Sequence, residues 1–118
     1  MQPPPPPQSA QIENARGLAA LKAGDAARAL IHFEAAIGID PDAAPLWRNK
    51  ATACRALGDD DGEGAALEKA LSFDRTDFGS WLRKAQLHQR RGDDLAAFEA
   101  WSATLQLATN FQDLPPQI

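Results

Sequence analysis

The chain has 118 residues, of which 44% are hydrophobic and 24% charged, and a formal net charge of −4. These values indicate a single folded domain, and the negative charge disfavours nucleic acid as a partner. No apolar run approaches the roughly 20 residues that span a bilayer, and the single cysteine, Cys54, fits a reducing compartment. We therefore expect a cytoplasmic protein without a membrane segment.

The chain begins with a proline tract, Pro3 to Pro7, which predicts a polyproline II segment. With no basic start and no apolar stretch before the first helix, a secretory signal is not expected. We interpret residues 1–9 as a disordered, stiff leader. The alternative is a ligand for an SH3-like or profilin-like domain.

Three Gly-Asp pairs recur at intervals of 34 residues, and each lies between two stretches rich in alanine and leucine, which favour helix. Glycine suits the left-handed residue that ends a helix, and aspartate can cap the N–H groups of the next one. Each pair therefore predicts the tight turn of a helix hairpin. The pairs are Gly24-Asp25, Gly58-Asp59 and Gly92-Asp93.

In chain order, helices are predicted near residues 10–23, 26–38, 44–57, 60–73, 78–91 and 94–107. Asp40-Pro41 ends the first hairpin. Gly62 and Gly64 predict a late start for the fourth helix. Two prolines near the C-terminus leave little room for more helix, so residues 112–118 are predicted to form a short tail.

Other residues repeat in the same register. Trp47 and Trp81 precede their turn glycines by 11 residues, and Ala36 and Ala70 follow theirs by 12. A 34-residue helix–turn–helix unit with Trp, Gly, Ala, aromatic and Pro at set spacings resembles the tetratricopeptide repeat (TPR) family. The resemblance implies an all-α fold, an α-solenoid of three antiparallel TPR-like hairpins in a right-handed superhelix, with units at 10–43, 44–77 and 78–111.

The chain departs from the TPR pattern at several positions. The usual tyrosine is replaced by Ala20, Cys54 and His88, and Glu63 stands where a small residue normally opens the second helix. The leader, the three units and a final Leu-Pro-Pro segment are also similar to the N-terminal region of bacterial TPR-containing aspartyl/asparaginyl β-hydroxylase-like proteins. That resemblance implies the binding module of a larger enzyme whose Fe(II)/2-oxoglutarate oxygenase domain is absent from these residues.

We find no pattern that predicts catalysis, a metal or a cofactor. His32 and Glu34 are two residues apart on a helix and diverge by about 200°, so they cannot share an ion. His88 has no carboxylate two residues on, and we interpret it as a packing residue. Cys54 is expected to be a buried, inert thiol. The glycines of the segment 58–64 do not have EF-hand spacing.

The charges are sorted between the helices of each hairpin. The three first helices together carry +8, and the three second helices −8. TPR first helices line a concave groove, so the resemblance implies a basic groove and an acidic back. Helix dipoles explain acids at helix starts, but not Arg48, Lys50, Arg83 and Lys84, which lie in the first or second turn of their helices. An acidic peptide ligand is therefore our hypothesis.

The groove positions of the family correspond here to Asn14, Leu18, Lys22, Arg48, Asn49, Thr52, Arg55, Leu82, Arg83, Gln86, Gln89 and Arg90. One TPR subset binds a peptide's C-terminal carboxylate with a five-position clamp, which only Asn49 and Arg83 match, so a receptor of that kind is disfavoured. The leading prediction is an adaptor that binds an acidic peptide. Self-association through an apolar strip on the last helix is a further alternative.

Overall fold

The computed structural model describes the backbone of residues 7–112 and the side chains of residues 9–109, and this range holds six α-helices and no strand. The helices are α1 Pro7–Lys22, α2 Ala26–Ile39, α3 Ala44–Ala56, α4 Asp60–Phe73, α5 Phe78–Arg91 and α6 Asp94–Gln112. They pair as three successive hairpins, which confirms the predicted all-α solenoid. Within residues 7–112 no helix is both long and apolar enough to cross a membrane.

The hairpin turns have the predicted chemistry. At the middle turn, the Gly58 N–H donates to the carbonyl of Arg55 at 3.1 Å and the Asp59 N–H donates to that of Cys54 at 2.9 Å. The Asp59 carboxylate accepts from the Gly62 N–H at 2.9 Å and so caps α4. The left-handed conformation recurs at Gly24, Gly58 and Gly92, with φ of +82°, +76° and +76°.

The first two hairpins share an apolar core. Phe33 is fully buried and packs with Ala20, Ala29 and Ala53. Gly17 of α1 lies against its ring, and a Cβ at Gly17 would be 2.6 Å from Cδ1 of Phe33. The missing side chain thus allows the phenylalanine to lie between α1 and α2.

The two interior tryptophans fix the loops between hairpins. Nε1 of Trp47 donates to the carbonyl of Pro41, and Nε1 of Trp81 to that of Arg75, both at 2.7 Å. Pro41 and Arg75 occupy the same repeat position. The loop therefore keeps its anchor where the family's closing proline is replaced.

Three predicted boundaries differ from the structure. Helix α1 begins at Pro7, because proline is tolerated in a first turn, so residues 7–9 of the predicted leader are helical. Helix α4 begins at Asp60, so the predicted late start is wrong. A Cβ at Gly62 would lie 2.8 Å from Cγ of Asp59, so this glycine makes room for the cap. Helix α6 continues to Gln112, and the rest of the leader and tail lies outside the described residues.

Candidate functional site

The three first helices adjoin one another and form one surface, which we call the first-helix surface. Between α1 and α3, Nδ2 of Asn49 donates to Oδ1 of Asn14 at 2.7 Å. Between α3 and the start of α5, the Arg48 guanidinium donates to Asp77. Two of the predicted groove residues, Asn14 and Asn49, thus contact each other across consecutive hairpins.

Arg48 is engaged within the chain. It pairs with Oδ1 of Asp77, whose Oδ2 accepts from the hydroxyl of fully buried Ser80 at 2.5 Å. The Arg48 stem crosses the first turn of α5, where a Cβ at Gly79 would lie 3.0 Å from its Cδ. These contacts link the second and third hairpins and account for the position of Arg48 without a ligand, so its role in peptide binding stays a prediction.

Lys50 and Lys84 face the preceding hairpin. Nζ of Lys50 lies 4.0 Å from Glu34 and 5.4 Å from the centroid of the Trp47 ring. Nζ of Lys84 lies 2.5 Å from Glu68. A repeated contact with the second helix before them, rather than an acidic ligand, explains why both lysines oppose the helix dipole.

Arg90, which we predicted in the groove, lies at the seam between α4 and α5. It contacts Glu63 at 2.8 Å and Asp60 at 3.2 Å, and its neighbour Arg91 contacts Asp61 at 3.2 Å. The hydrogen bond that Arg90 donates to Glu63 is the main cause that raises the pKa of Arg90. Because the Glu63 side chain is only 1% exposed, this pairing explains how a glutamate replaces the family's small residue.

Arg83 has a different environment. Burial lowers the pKa of its guanidinium, and the nearby positive charges of Arg48 and Arg55 lower it further. Glu63 and Asp77 oppose this shift from a distance but contribute less. Over the described side chains, residues 9–109, neither Arg83 on α5 nor Arg55 on α3 makes an ion pair. We call these two cations the arginine pair.

The remaining predicted site residues make fewer contacts with the rest of the predicted site. The Thr52 hydroxyl donates to the carbonyl of Arg48 at 3.2 Å, within its own helix. Gln86 is half-buried, and Lys22 and Gln89 are exposed. Over the described side chains, no hydrogen bond or ion pair joins these last three to other predicted site residues.

Sequence reasoning missed Asp77 and the contact between Glu13 and His32. Asp77 precedes a helix, as a capping residue does, but its carboxylate contacts side chains instead of helix N–H groups. Oε2 of Glu13 lies 2.8 Å from Nδ1 of His32, and this hydrogen bond lowers the pKa of Glu13. Cys54 is buried as predicted, and burial raises the pKa of its thiol.

Comparisons with known proteins agree with this fold. A family model described as "Tetratricopeptide repeat" matches residues 11–43, while no curated protein matches the chain in sequence. The Sgt2 TPR domain from Aspergillus fumigatus has a TM-score of 0.82 and 23% identity, covering 90% of this chain and 70% of that one.

Two other solved structures are similar. The second TPR of Spaghetti (RPAP3), bound to HSP90 peptide SRMEEVD, has a TM-score of 0.81 and 23% identity, with 86% of this chain and 94% of that chain covered. The Arabidopsis OM64 TPR domain has a TM-score of 0.80 and 20% identity, with 85% and 83% covered. None of these three is a hydroxylase, so that resemblance stays a prediction. The chain therefore has the fold of TPR domains, and its first hairpin matches the tetratricopeptide repeat family in sequence.

Proposed function

We propose that the chain is a protein-interaction adaptor, not an enzyme, and that it binds an acidic peptide on the first-helix surface through Arg55 and Arg83. The observation that carries the proposal is the environment of Arg83, a half-buried cation near two other arginines and without an ion pair in the described part of the chain. A ligand carboxylate at this position would offset both the lost hydration and the repulsion.

The chemistry of guanidinium fits a carboxylate ligand. Its planar fork of N–H donors can hold both oxygens of a carboxylate at once, and such charge-assisted hydrogen bonds are stronger than neutral ones. Nη1 of Arg48 already pairs with Asp77, which offsets part of the positive charge of Arg48 within the chain. We therefore assign the direct contacts to Arg83 and Arg55.

The asparagine contact between α1 and α3 supports an extended peptide. Asn14 and Asn49 use one oxygen and one amide nitrogen for each other. Each side chain keeps further hydrogen-bonding capacity, the amide group of Asn14 and the oxygen of Asn49, for a ligand's main chain. Such contacts would position the main chain of a peptide without selecting its side chains.

The solved neighbours bear on the ligand class. Both the first and the second TPR of Spaghetti are bound to the HSP90 peptide SRMEEVD, in which three of seven residues are acidic. Only Asn49 and Arg83 match the family's clamp for a C-terminal carboxylate, whereas Asn14, Leu18 and Gly79 replace the other three positions. We therefore propose that this chain recognises side-chain carboxylates within an acidic segment.

The test uses fluorescence anisotropy with three labelled peptides, SRMEEVD, its C-terminal amide, and the analogue SRMQQVN, which lacks acidic side chains. We expect the first two to bind similarly and the analogue to bind much more weakly. Arg83→Ala should weaken SRMEEVD binding by roughly 10- to 100-fold, since a hydrogen bond to a charged group contributes about 1.5–3 kcal/mol. Arg28→Ala is the matched control, because this exposed arginine on α2 contacts only Asp25 at 3.7 Å.

Three results would contradict the proposal. Equal binding of SRMEEVD and SRMQQVN would show that acidity is not recognised. Equal losses for Arg83→Ala and Arg28→Ala would show that any charge effect is diffuse. Loss of binding on amidation alone would place recognition at the C-terminal carboxylate instead of the side chains.

A further inference from the structure

Helix α6 exposes three large apolar side chains on one face, which we call the α6 face. Leu95, Phe98 and Leu105 are 70%, 68% and 64% exposed. Their spacing of three and seven residues places them on the same side of the helix. Three bulky apolar side chains in a row indicate a surface that another helix covers.

The repeat register shows what covers the same positions inside the chain. Leu105 corresponds to Leu71 and Ile37, which are 2% and 9% exposed. Ile37 packs in one cluster with Leu46, which belongs to the first helix of the following hairpin. This position of each second helix is therefore built to receive the next first helix.

Ion pairs between α4 and α5 identify two further facing positions. Asp61 contacts Arg91, and Asp60 contacts Arg90, each at 3.2 Å. One repeat later, the α4 positions become Leu95 and Asp94 on α6. Two repeats earlier, the α5 positions become Lys22, the last residue of α1, and Ala23, the residue after it.

In this register, the exposed side chains at the two ends of the array, on α1 and on α6, match in charge and in size. Asp94 and Lys22 carry opposite charges, are both exposed, and make no ion pair within residues 7–112. Leu95 is bulky where Ala23 is small. Leu105 would meet Ile12, which is 51% exposed and corresponds to Leu46.

We propose that the α6 face binds α1 of a second copy of this chain, so that the copies stack head to tail and continue the 34-residue register across the contact. Such a contact joins two different surfaces, so it leaves one free surface of each kind and can repeat. The proposal does not involve the arginine pair, and it stands or fails separately from the proposed function.

Blocking one surface at a time tests the proposal. The first variant combines Phe98→Glu with Leu105→Glu and blocks the α6 face, and the second combines Ile12→Glu with Lys22→Glu and blocks α1. Sedimentation velocity of the wild type should show a mass that rises with concentration above the 12.7 kDa monomer. Each variant alone should remain monomeric, while an equimolar mixture should form a dimer that does not grow.

The matched control is Ile31→Glu, because Ile31 on α2 has the same 68% exposure as Phe98 and lies outside the stacking register. It should associate like the wild type, and far-UV circular dichroism should show every variant folded. A wild type that stays monomeric at all concentrations overturns the proposal. So does a mixture that fails to dimerise, or an α1 variant that associates normally, which would indicate α6 pairing with α6.

Discussion

Arg90→Ala should strongly destabilise the chain, although Arg90 lies at the surface. It leaves Glu63, whose side chain is 1% exposed, without its partner at 2.8 Å. Breaking a fully buried pair costs about 3–5 kcal/mol, because a desolvated charge remains. Since the Arg90 side chain is itself 39% exposed and water can reach part of the pair, we expect about 2–3 kcal/mol.

This loss is large against the roughly 5–15 kcal/mol by which a domain is stable. At a few °C per kcal/mol for a chain of this size, Tm should fall by about 10 °C. The adjacent Arg91→Ala is the matched control, because its partner Asp61 is 91% exposed and such pairs contribute about 0–1 kcal/mol.

The assay is urea unfolding followed by circular dichroism, for each single variant and for Arg90→Ala combined with Glu63→Gln. The combined variant should recover part of the loss, because the glutamine leaves no buried charge. Equal losses for Arg90→Ala and Arg91→Ala would refute the reasoning. So would a combined variant less stable than Arg90→Ala alone.

Three further predictions follow from single contacts. Gly17→Ala should cost about 1–2 kcal/mol in urea unfolding, because its Cβ would lie 2.6 Å from Cδ1 of the buried Phe33. Gly38→Ala, in open space, should instead stabilise α2 by about 0.5–1 kcal/mol. The contact with His32 lowers the pKa of Glu13 in the folded state, so its stabilisation is complete above the unfolded pKa and is lost as pH falls through the folded one. Glu13→Gln should therefore reduce the loss of unfolding free energy as the pH falls. An unchanged pH dependence would contradict this. Cys54 should react with iodoacetamide much more slowly in the folded than in the urea-unfolded chain, because burial disfavours its thiolate, and similar rates would contradict that.

Local chemistry explains why the hairpins could be predicted from sequence. A glycine such as Gly58 needs only its own positive φ, and Asp59 caps a helix that begins one residue later. These features depend on neighbours along the chain, and the 34-residue period repeats them three times. The same reasoning failed at α4, where Gly62 was taken as a helix breaker although it makes room for the cap.

The charged contacts could not be predicted because each joins residues distant in sequence. Lys50 meets Glu34 across one seam and Lys84 meets Glu68 across the next, a repeated spacing of 16 residues. The sequence alone assigned each lysine to a helix, but it did not show which neighbouring helix its side chain contacts. Arg48 was similarly placed in the groove without its partner Asp77.

These contacts change the charge that a ligand would meet. Of the nine cations on the first helices, six lie within 4.0 Å of a carboxylate, namely Arg16, Arg48, Lys50, Lys84, Arg90 and Arg91. Over the described residues, three of these cations, Lys22, Arg55 and Arg83, make no such contact. The last two are the arginine pair. We therefore expect a peptide with two or three acidic residues to saturate the electrostatic gain, and longer acidic runs to bind no more tightly. An affinity that keeps rising with each added glutamate, measured by anisotropy at fixed salt, would show instead that the whole first-helix surface acts as a diffuse positive field.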